Sequence, residues 1–408
     1  MFVLEYKVEP KPDQVEAIQE AIRTTQFVRN KILRFWMDNR GVGKTELFRH
    51  NTTLRADYQF VKDLNSHACQ TAVERVLRAI TRFYDNCKNK VKGKKGYPKF
   101  SKNTRSVEYK TSGWKLTENK KHIIFLDKKN IGKLKLIGSR DLNYYQPEQI
   151  KRVRIVRRAD GYYVQFCIKL DPRDTVKQLE PTQKAVGIDL GLKYFYADSQ
   201  GNIEKIPQFY RKAEKRLNRL NRRKSKKFKK GKPVSKNYLK AKNRYARKHL
   251  KVSRQREEYA KRVALRLIQS NDLVAYEGLN VKGMVRSRLA KSINDAAWST
   301  FKQWLEYFAL KYRKIVVAVS PHNTSLDCSN CGKRVQKTLS TRTHICPYCG
   351  FTEDRDINAA INILKKALEL LSTAGRAESQ AWGDETSTLI GAILSRQVLS
   401  ENQESSPF

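Results

Sequence analysis

Residues 184–193 read Lys-Ala-Val-Gly-Ile-Asp-Leu-Gly-Leu-Lys, a short apolar run in which one carboxylate, Asp189, lies between two glycines. Such a run predicts a buried strand. A carboxylate on a buried strand costs several kcal/mol unless it is paired, hydrogen-bonded or bound to a cation. We therefore interpret Asp189 as a ligand of a divalent cation, because bound Mg²⁺ or Mn²⁺ would offset that cost.

Two further carboxylates have a comparable placement. Glu277 ends a second apolar run at 273–276, and Asp356 opens an amphipathic helix. Three carboxylates on three elements can meet at one point and hold two cations roughly 3.5 to 4 Å apart, one activating the attacking water and the other stabilising the leaving oxygen. Because Mg²⁺ prefers carboxylate oxygens, we predict that Asp189, Glu277 and Asp356 are the catalytic and magnesium-binding residues of a phosphodiester-cleaving core. Its products should carry 5′-phosphate ends.

The helix start offers two aspartates, and the choice between them needs a separate argument. Asp354 lies two residues before Asp356, so either side chain could be the ligand by spacing alone. The helix start places the two on different faces, and we assign the catalytic role to Asp356. Whether Asp354 shares in metal binding stays open at this point.

The net charge indicates the class of partner. The chain of 408 residues contains 84 Lys and Arg against 40 Asp and Glu, which gives a formal charge of +44. That excess is more than solubility requires, and its natural partner is a polyphosphate. A membrane surface is the rival partner, but no apolar run approaches the ~18 residues of a spanning helix, and the N-terminus lacks a signal-peptide layout. We expect a soluble, intracellular protein.

Much of the positive charge is concentrated between the first two acidic motifs. Residues 211–260 hold 22 Lys or Arg and three acids, with a nearly continuous lysine run at 224–232. Because helix-like segments flank this run, we predict a basic helical hairpin at 208–262 that clamps nucleic acid. A second basic stretch at 89–100 contains glycine, tyrosine and phenylalanine, which suits a loop on phosphates or on a stacked base.

The cysteines indicate a metal site in a reducing compartment. Of the seven in the chain, four form two Cys-x-x-Cys-Gly pairs with fourteen residues between them. We predict that Cys328, Cys331, Cys346 and Cys349 hold one tetrahedral Zn²⁺, which is structural because four sulfurs leave no position for water. His344 is interpreted as a surface residue beside this site. The remaining cysteines are interpreted as small core residues: Cys69, Cys87 and Cys167.

The N-terminal half combines helical and strand-like patterns. Residues 2–8 alternate like a strand, and residues 13–90 contain two amphipathic helices with apolar stripes at three- and four-residue spacing. Several short alternating runs between 106 and 171 predict a small barrel. Residues 2–8 would complete this barrel, which makes the helical domain an insertion.

Four motifs resemble those of a known family. They are 187–193 (Gly-Ile-Asp-Leu-Gly-Leu-Lys), 277–284 (Glu-Gly-Leu-Asn-Val-Lys-Gly-Met), 325–332 (Ser-Leu-Asp-Cys-Ser-Asn-Cys-Gly) and 354–363 (Asp-Arg-Asp-Ile-Asn-Ala-Ala-Ile-Asn-Ile). With them the chain resembles the TnpB family of transposon-encoded RNA-guided nucleases, which are relatives of type V CRISPR effectors and of Fanzor proteins. One departure is Gly278, where the family usually has Asp, and we expect it to have little effect on catalysis.

The resemblance implies a multidomain fold of mixed α+β and α/β class, with an RNase H-like (RuvC) nuclease core, helical insertions and a zinc ribbon of four cysteines. The remaining segment, 372–408, is polar and is expected to be disordered. The implied domains are a wedge-like β-barrel (1–12 with 100–180), a helical recognition domain (13–99), the first part of the RuvC-like core (181–324), a zinc-bearing target-binding insert (325–352) and a RuvC-like C-terminal helix (353–371).

The resemblance also implies a function. It implies an RNA-guided DNA endonuclease in which the positions of Asp189, Glu277 and Asp356 are catalytic, with a guide RNA and a double-stranded DNA target that carries a short flanking motif. We expect a monomer with its RNA in the prokaryotic cytoplasm, associated with the nucleoid. Two alternatives stay open: a guide-independent RNase H or RuvC-like nuclease or resolvase, and a non-catalytic nucleic-acid-binding regulator of the transposon.

Overall fold

The computed structural model describes residues 2–39, 41–338 and 341–377, and the chain divides into two compact units that meet between Asp171 and Pro172. In the first unit, strand β1 (Phe2–Val8) comes before a group of helices, and the other strands follow them. The helices are α1 (Pro12–Asp38), α2 (Lys44–Asp57), α3 (Gln59–Lys62) and α4 (Ser66–Lys88). The later strands are β2 (Ser106–Tyr109), β3 (Trp114–Leu116), β4 (His122–Phe125), β5 (Gly132–Lys135), β6 (Ile150–Arg158) and β7 (Gly161–Ile168).

The described strands of the first unit form two antiparallel sheets. One has the order β1-β7-β6-β2 and the other β3-β4-β5. Strand β1 pairs with β7 over its whole length, so the helices are an insertion between the first strand and the rest of its sheet. An isolated bridge between Lys7 and Ile137 connects β1 to the chain that follows β5. The strands predicted from alternation are present, and these pairings give two sheets that are linked through this bridge.

Helices and strands of the first unit share one hydrophobic core. Ile18 on α1, Val76 on α4 and Phe166 on β7 all belong to it and are almost fully buried. The amphipathic stripes therefore face the sheet, as their spacing predicts. Glu108 on β2 is also buried, and burial by itself would raise its pKa. Three arginines outweigh that effect and lower the pKa of Glu108 to about 2: Arg152, Arg154 and Arg75.

The second unit is built on a mixed sheet. Its described strands have the order β10-β9-β8-β11-β12, in which β8 and β9 form an antiparallel hairpin and β8, β11 and β12 run parallel. The strands are β8 (Ala185–Asp189), β9 (Tyr194–Asp198), β10 (Ile203–Lys205), β11 (Leu273–Glu277) and β12 (Ile315–Val319).

Helices cover both faces of this sheet. Val186 and Ile188 on β8 pack in one cluster with residues of α6 and α9, whereas Leu273 and Ala275 on β11 pack towards α10 on the other face. Alternation along the strands thus supplies both layers of an α/β/α arrangement. The helices are α5 (Phe209–Lys226), α6 (Lys236–Ser270), α7 (Val281–Met284), α8 (Ala290–Ala296), α9 (Trp298–Tyr312) and α10 (Arg355–Ala377).

Helix α10 approaches strand β8 so closely that only glycine fits at position 187. A Cβ atom on Gly187 would lie 2.2 Å from the carbonyl oxygen of Ala360 and 2.8 Å from the amide nitrogen of Leu364. Ala359 and Ala360, which are fully buried, are the small residues on the helix side of this contact. The glycine of the opening motif is therefore required by backbone packing, two residues before Asp189.

Some elements differ from the sequence prediction. Helix α2 and the short strand β3 were not predicted, because neither has a clear period of apolar residues. The segment expected to be a disordered tail begins at 372, inside α10, which continues to Ala377; the rest of it lies outside the described residues. Within the parts of the chain that the structure describes, none of the helices combines the length and apolar character needed to cross a membrane.

We expect Gly187→Ala to destabilise the second unit by at least about 3 kcal/mol, because overpacking a core costs about 1–3 kcal/mol even when side chains can adjust. Here the added atom meets backbone. The matched control is Gly278→Ala, whose Cβ would meet the carbonyl oxygen of Val319 at 3.3 Å, and which should cost less than about 1 kcal/mol. Urea unfolding of both variants measures the difference. Equal unfolding midpoints would show that the helix can move away from the strand at little cost.

Candidate active site and metal centre

The three predicted carboxylates converge at one edge of the central sheet. Asp189 ends β8 and Glu277 ends the parallel strand β11. In the register of these strands Ile188 pairs with Tyr276, so the two acids follow at the same level. Asp356 lies in the first turn of α10, the helix that packs on β8 at Gly187. The sequence prediction that three elements bring these acids together agrees with this arrangement.

The electrostatics of Asp189 are dominated by burial and by other acids. Its pKa is raised to about 8, first by burial and then by the negative charges of Glu277 and Asp356, while Arg355 lowers it in part. A pKa shift of this direction means that the site disfavours the charged carboxylate. Positive charge at the same edge would restore the ionised form.

Both the side-chain carboxylate and the backbone carbonyl of Glu277 accept hydrogen bonds from neighbouring residues. Burial raises the pKa of its carboxyl group, although a hydrogen bond from the Thr324 hydroxyl and the positive charge of Lys302 act against burial. Lys302 Nζ also donates to the backbone oxygen of Glu277 at 2.6 Å and lies 4.8 Å from the ring centroid of Tyr276. The strand end that carries Glu277 is thus fixed by residues from α9 and from the loop after β12.

Asp356 and Asp354 have different surroundings. Oδ1 of Asp356 accepts hydrogen bonds from Arg355 Nε at 3.1 Å and Nη2 at 3.0 Å, and Arg342 Nη1 lies 3.9 Å from Oδ2. Asp354 directly precedes α10, and its Oδ1 accepts from the backbone N–H of Asp356 at 2.8 Å. That bond is the side-chain cap of a helix N-terminus. Asp354 therefore has a capping role in this structure, and Asp356 is buried beside Asp189.

Other buried acids of the second unit show what a structural carboxylate looks like. Asp272 accepts from the backbone N–H groups of Thr182 and Gln183 and pairs with Lys314. Asp295 is bonded in the same way, by the backbone N–H groups that start α5 and by Arg256. The charges around Asp189 are mainly those of other acids, so its environment differs from that of a structural acid. The buried Glu277 and Asp356 beside the half-buried Asp189 form a set of carboxylate donors that fits a hard divalent cation.

The four cysteines of the two Cys-x-x-Cys pairs come together in the structure. Their sulfurs lie within 4.8 Å of one another, and among the described residues this is the cluster compact enough to hold a metal ion; the carboxylates are spread more widely. The Sγ atoms of Cys328 and Cys349 are 3.8 Å apart, and those of Cys331 and Cys346 are 3.6 Å apart. Tetrahedral zinc with Zn–S distances of about 2.3 Å requires sulfurs roughly 3.8 Å apart.

The backbone around the cysteines is built as two similar turns. In each turn the glycine N–H donates to the carbonyl oxygen of the first cysteine, from Gly332 to Cys328 at 2.9 Å and from Gly350 to Cys346 at 3.0 Å. Both glycines have positive φ, 72° and 73°, which a side chain would strain. The glycine after each pair is thus explained by the turn that aims the two sulfurs inwards. Strands β13 (Thr343–Ile345) and β14 (Thr352–Asp354) flank the second turn.

Two minor predictions about this region and the free thiols were wrong. His344 is not a surface residue: it is fully buried on β13, with its ring centroid 6.1 Å from that of Phe351. It lies outside the metal-ligand cluster. Cys87 is exposed on α4, whereas Cys69 and Cys167 are buried as predicted. The strand that carries His344 is too short for alternation to predict its burial. Cys87 lies near the end of a helix, where the apolar period does not predict exposure reliably.

Two asparagines of α10 connect this helix to the cysteine-bearing segment. Asn358 accepts from the backbone N–H of Ser329 at 2.9 Å and donates to the Asp327 carbonyl oxygen at 2.9 Å. Asn362 donates to the carbonyl oxygens of Thr324 and Asp327 at 2.9 and 2.7 Å. Both asparagines belong to the motif at 354–363, but the sequence did not predict their hydrogen bonds. Four further residues of the site were not predicted from the sequence: Lys302, Thr324, Arg342 and Arg355. Of these, Arg355 alone lies inside a recognised motif, and that position was the one available signal.

Comparison with known proteins gives two family models in this region. The model OrfB_IS605, described as "Probable transposase", matches residues 165–288, which include Asp189 and Glu277. The model "Cas12f1-like, TNB domain" matches residues 298–363, which include the four cysteines and Asp356. The acidic site thus draws its residues from both matched segments.

Relatives and a solved structure extend the similarity over most of the chain. A protein of Streptomyces pristinaespiralis named "Putative RNA-guided DNA endonuclease" is 27% identical over 379 residues, which are 89% of this chain and 88% of the relative. TnpB-like protein L79 of Acanthamoeba polyphaga mimivirus is 29% identical over 51% of this chain and 41% of its own length. The fold is similar to that of the cryo-EM structure of the Cas12f1-sgRNA-target DNA complex, with TM-score 0.52 and 15% identity, over 86% of this chain and 82% of that chain. These matches confirm the resemblance seen in the sequence: the chain is similar to TnpB-like proteins, and its segments 165–288 and 298–363 match the OrfB_IS605 and Cas12f1-like TNB models in turn.

Proposed function

We propose that this protein is an RNA-guided DNA endonuclease of a transposable element, which hydrolyses phosphodiester bonds at the edge formed by β8, β11 and α10. The observation that carries the proposal is the convergence of Asp189, Glu277 and Asp356, with the pKa of Asp189 raised to about 8 by burial and by the other two acids. The name of the Streptomyces relative supports the same activity.

The residues of the site have distinct roles in this mechanism. Asp189, Glu277 and Asp356 would hold Mg²⁺ or Mn²⁺, which when bound supplies an activated water and stabilises the leaving oxygen. Thr324 orients the Glu277 carboxylate through its hydroxyl group. Arg355 donates to the Asp356 carboxylate and holds it in place, and Asp354 fixes the first turn of α10 on which Asp356 lies.

The cysteine site has a structural role in the proposal. Zn²⁺ held by Cys328, Cys331, Cys346 and Cys349 would close all four coordination positions with protein sulfur, so it has no place for a reacting water. Because Asn358 and Asn362 fasten the segment before the first pair to α10, the metal would organise a target-binding lobe next to the catalytic helix.

The partners follow from the charge and from the absence of a base-reading module in the sequence. A chain of formal charge +44 needs many phosphates to neutralise it. Contacts to the phosphate backbone carry no sequence information, so target choice would come from base pairing with a guide RNA. The protein itself would read a short flanking motif on double-stranded DNA. In this proposal residues 1–12 and 100–180 act as the wedge barrel and residues 13–99 as the recognition domain.

The catalytic assignment is tested by a matched pair of aspartate variants. Asp356→Asn should reduce DNA cleavage by at least about 100-fold, because it removes a charged ligand from the cation site. Asp354→Asn should keep cleavage within about threefold, because Asn caps a helix nearly as well as Asp. Cleavage is measured on plasmid DNA with Mg²⁺. The result that overturns the assignment is loss of cleavage in Asp354→Asn with normal cleavage in Asp356→Asn.

Metal content tests the zinc site. We expect one Zn²⁺ per chain by elemental analysis, and a loss of most of that zinc in Cys328→Ser, since the weaker oxygen donor opens the coordination sphere. Cys87→Ser, which changes an exposed cysteine of the first unit, should keep the full zinc content. Freshly purified protein without zinc, with all four cysteines free to react with an alkylating reagent, would disprove the site.

Guide exchange tests how the target is chosen. The protein should purify with a structured RNA, and replacing the guide segment of that RNA should move the cut sites on a DNA library to sequences that match the new guide. Protein freed of RNA should not cut with selectivity. Cut sites that ignore the new guide, or equal selectivity without RNA, would favour the guide-independent resolvase or RNase H activity.

A further inference from the structure

The tip of the hairpin formed by α5 and α6 contains a pocket that the nuclease site does not use. It has a volume of about 320 Å³ and is formed by the end of α5, the connecting loop and the first turn of α6. Two aromatic residues line it, Phe228 and Tyr238, with ring centroids 5.4 Å apart and ring planes inclined at 48°. The pocket therefore presents an aromatic surface at the otherwise charged tip of the hairpin.

Packing within the hairpin does not account for this aromatic pair. The hydrophobic contact between α5 and α6 is made further along, by Leu217 and Ala213 with Val252. At the tip, Phe228 is 55% exposed and Val234 is 57% exposed. Exposed apolar groups in a cluster mark binding surfaces more often than isolated ones do.

The charge around the pocket defines the chemistry of its occupant. Residues 222–240 contain ten Lys or Arg and no acid. Four lysines line the pocket itself: Lys226, Lys227, Lys229 and Lys232. A positive rim around an aromatic surface matches a nucleotide, whose base stacks on rings and whose phosphate contacts lysine.

The start of α6 adds to the same complementarity. Ser235 caps this helix by accepting the backbone N–H of Tyr238 at 3.1 Å, and the first turn contains no acid. The positive end of the helix dipole therefore lies at the pocket, where it favours a phosphate group.

We propose that this pocket binds one unpaired nucleotide of the bound nucleic acid, with the base stacked on Phe228, its edge against the inclined ring of Tyr238, and the adjoining phosphate on the lysines. The nucleotide must be unpaired because both faces of a base inside a duplex are already covered by its neighbours. The proposal relies on the proposed function only for the presence of nucleic acid and does not require cleavage. An unpaired segment of RNA and a displaced strand of DNA offer the same chemistry, and the experiment separates them.

The test compares strands with and without bases. Full-length protein, freed of its own RNA, is titrated with ten-nucleotide single strands of RNA and of DNA, and with abasic strands that keep the same sugar–phosphate backbone. Phe228→Ala should raise the Kd for a base-bearing strand about tenfold, which is the size of one lost stacking contact, and should leave the Kd of the abasic strand unchanged. Phe228→Trp should restore the affinity.

The control is Leu239→Ala, which removes an exposed apolar side chain beside Tyr238 but outside the residues that line the pocket. It should bind all strands like the unaltered protein.

Three outcomes for Phe228→Ala support the proposal. Weaker binding of RNA alone assigns the pocket to an RNA partner, and weaker binding of DNA alone assigns it to a DNA strand. Weaker binding of both means that either strand can occupy the pocket. If Phe228→Ala weakens the abasic strand as much as the base-bearing one, or weakens neither, the proposal is wrong. Because binding is measured, failure of the catalytic assignment at Asp356 would leave this result unaffected.

Discussion

The close contact between helix α10 and strand β8 is the constraint on which the acidic site depends. At Gly187 the helix backbone lies where a side chain would otherwise be, 2.2 Å from an ideal Cβ position. Only this approach lets the first turn of the helix reach the end of the strand. Asp356 then lies beside Asp189, while Ala359 and Ala360 fill the interface without pushing the two elements apart. A geometric requirement on one glycine thus fixes the distance between two charged groups.

Gathering acids in this way is unfavourable for the folded chain. Asp272 and Asp295 are stabilised by backbone N–H groups and cations, whereas burial and neighbouring acids raise the pKa of Asp189 to about 8. If stability alone determined this position, Asp189 would be paired with a cation or replaced by an uncharged residue. Binding sites for hard cations carry this kind of cost, since repulsion in the free protein becomes attraction when the cation is present.

The same helix connects the acids to the cysteine site. Asn358 and Asn362 lie two and six residues after Asp356, and they bond to backbone groups of the segment 324–329, which runs into the first cysteine turn. Movement of that segment would therefore act directly on the helix that carries Asp356. Thr324, whose hydroxyl group orients Glu277, lies in the same segment. Both acids from outside β8 thus depend on contacts made by this short stretch.

The sequence by itself determined the strand and helix that carry each acid, the two cysteine pairs, the basic hairpin and the family resemblance, because these are local patterns of period, charge and spacing. It also indicated that Asp354 and Asp356 lie on different faces of the helix start, whereas the capping bond of Asp354 is seen only in the structure. Only the tertiary structure decided the partners of the site, because Lys302, Thr324 and Arg342 are distant in sequence and ordinary in type. It likewise decided the burial of His344 and the exposure of Cys87, and it gave two linked sheets in the first unit. These properties depend on which surfaces meet, and no local pattern records that.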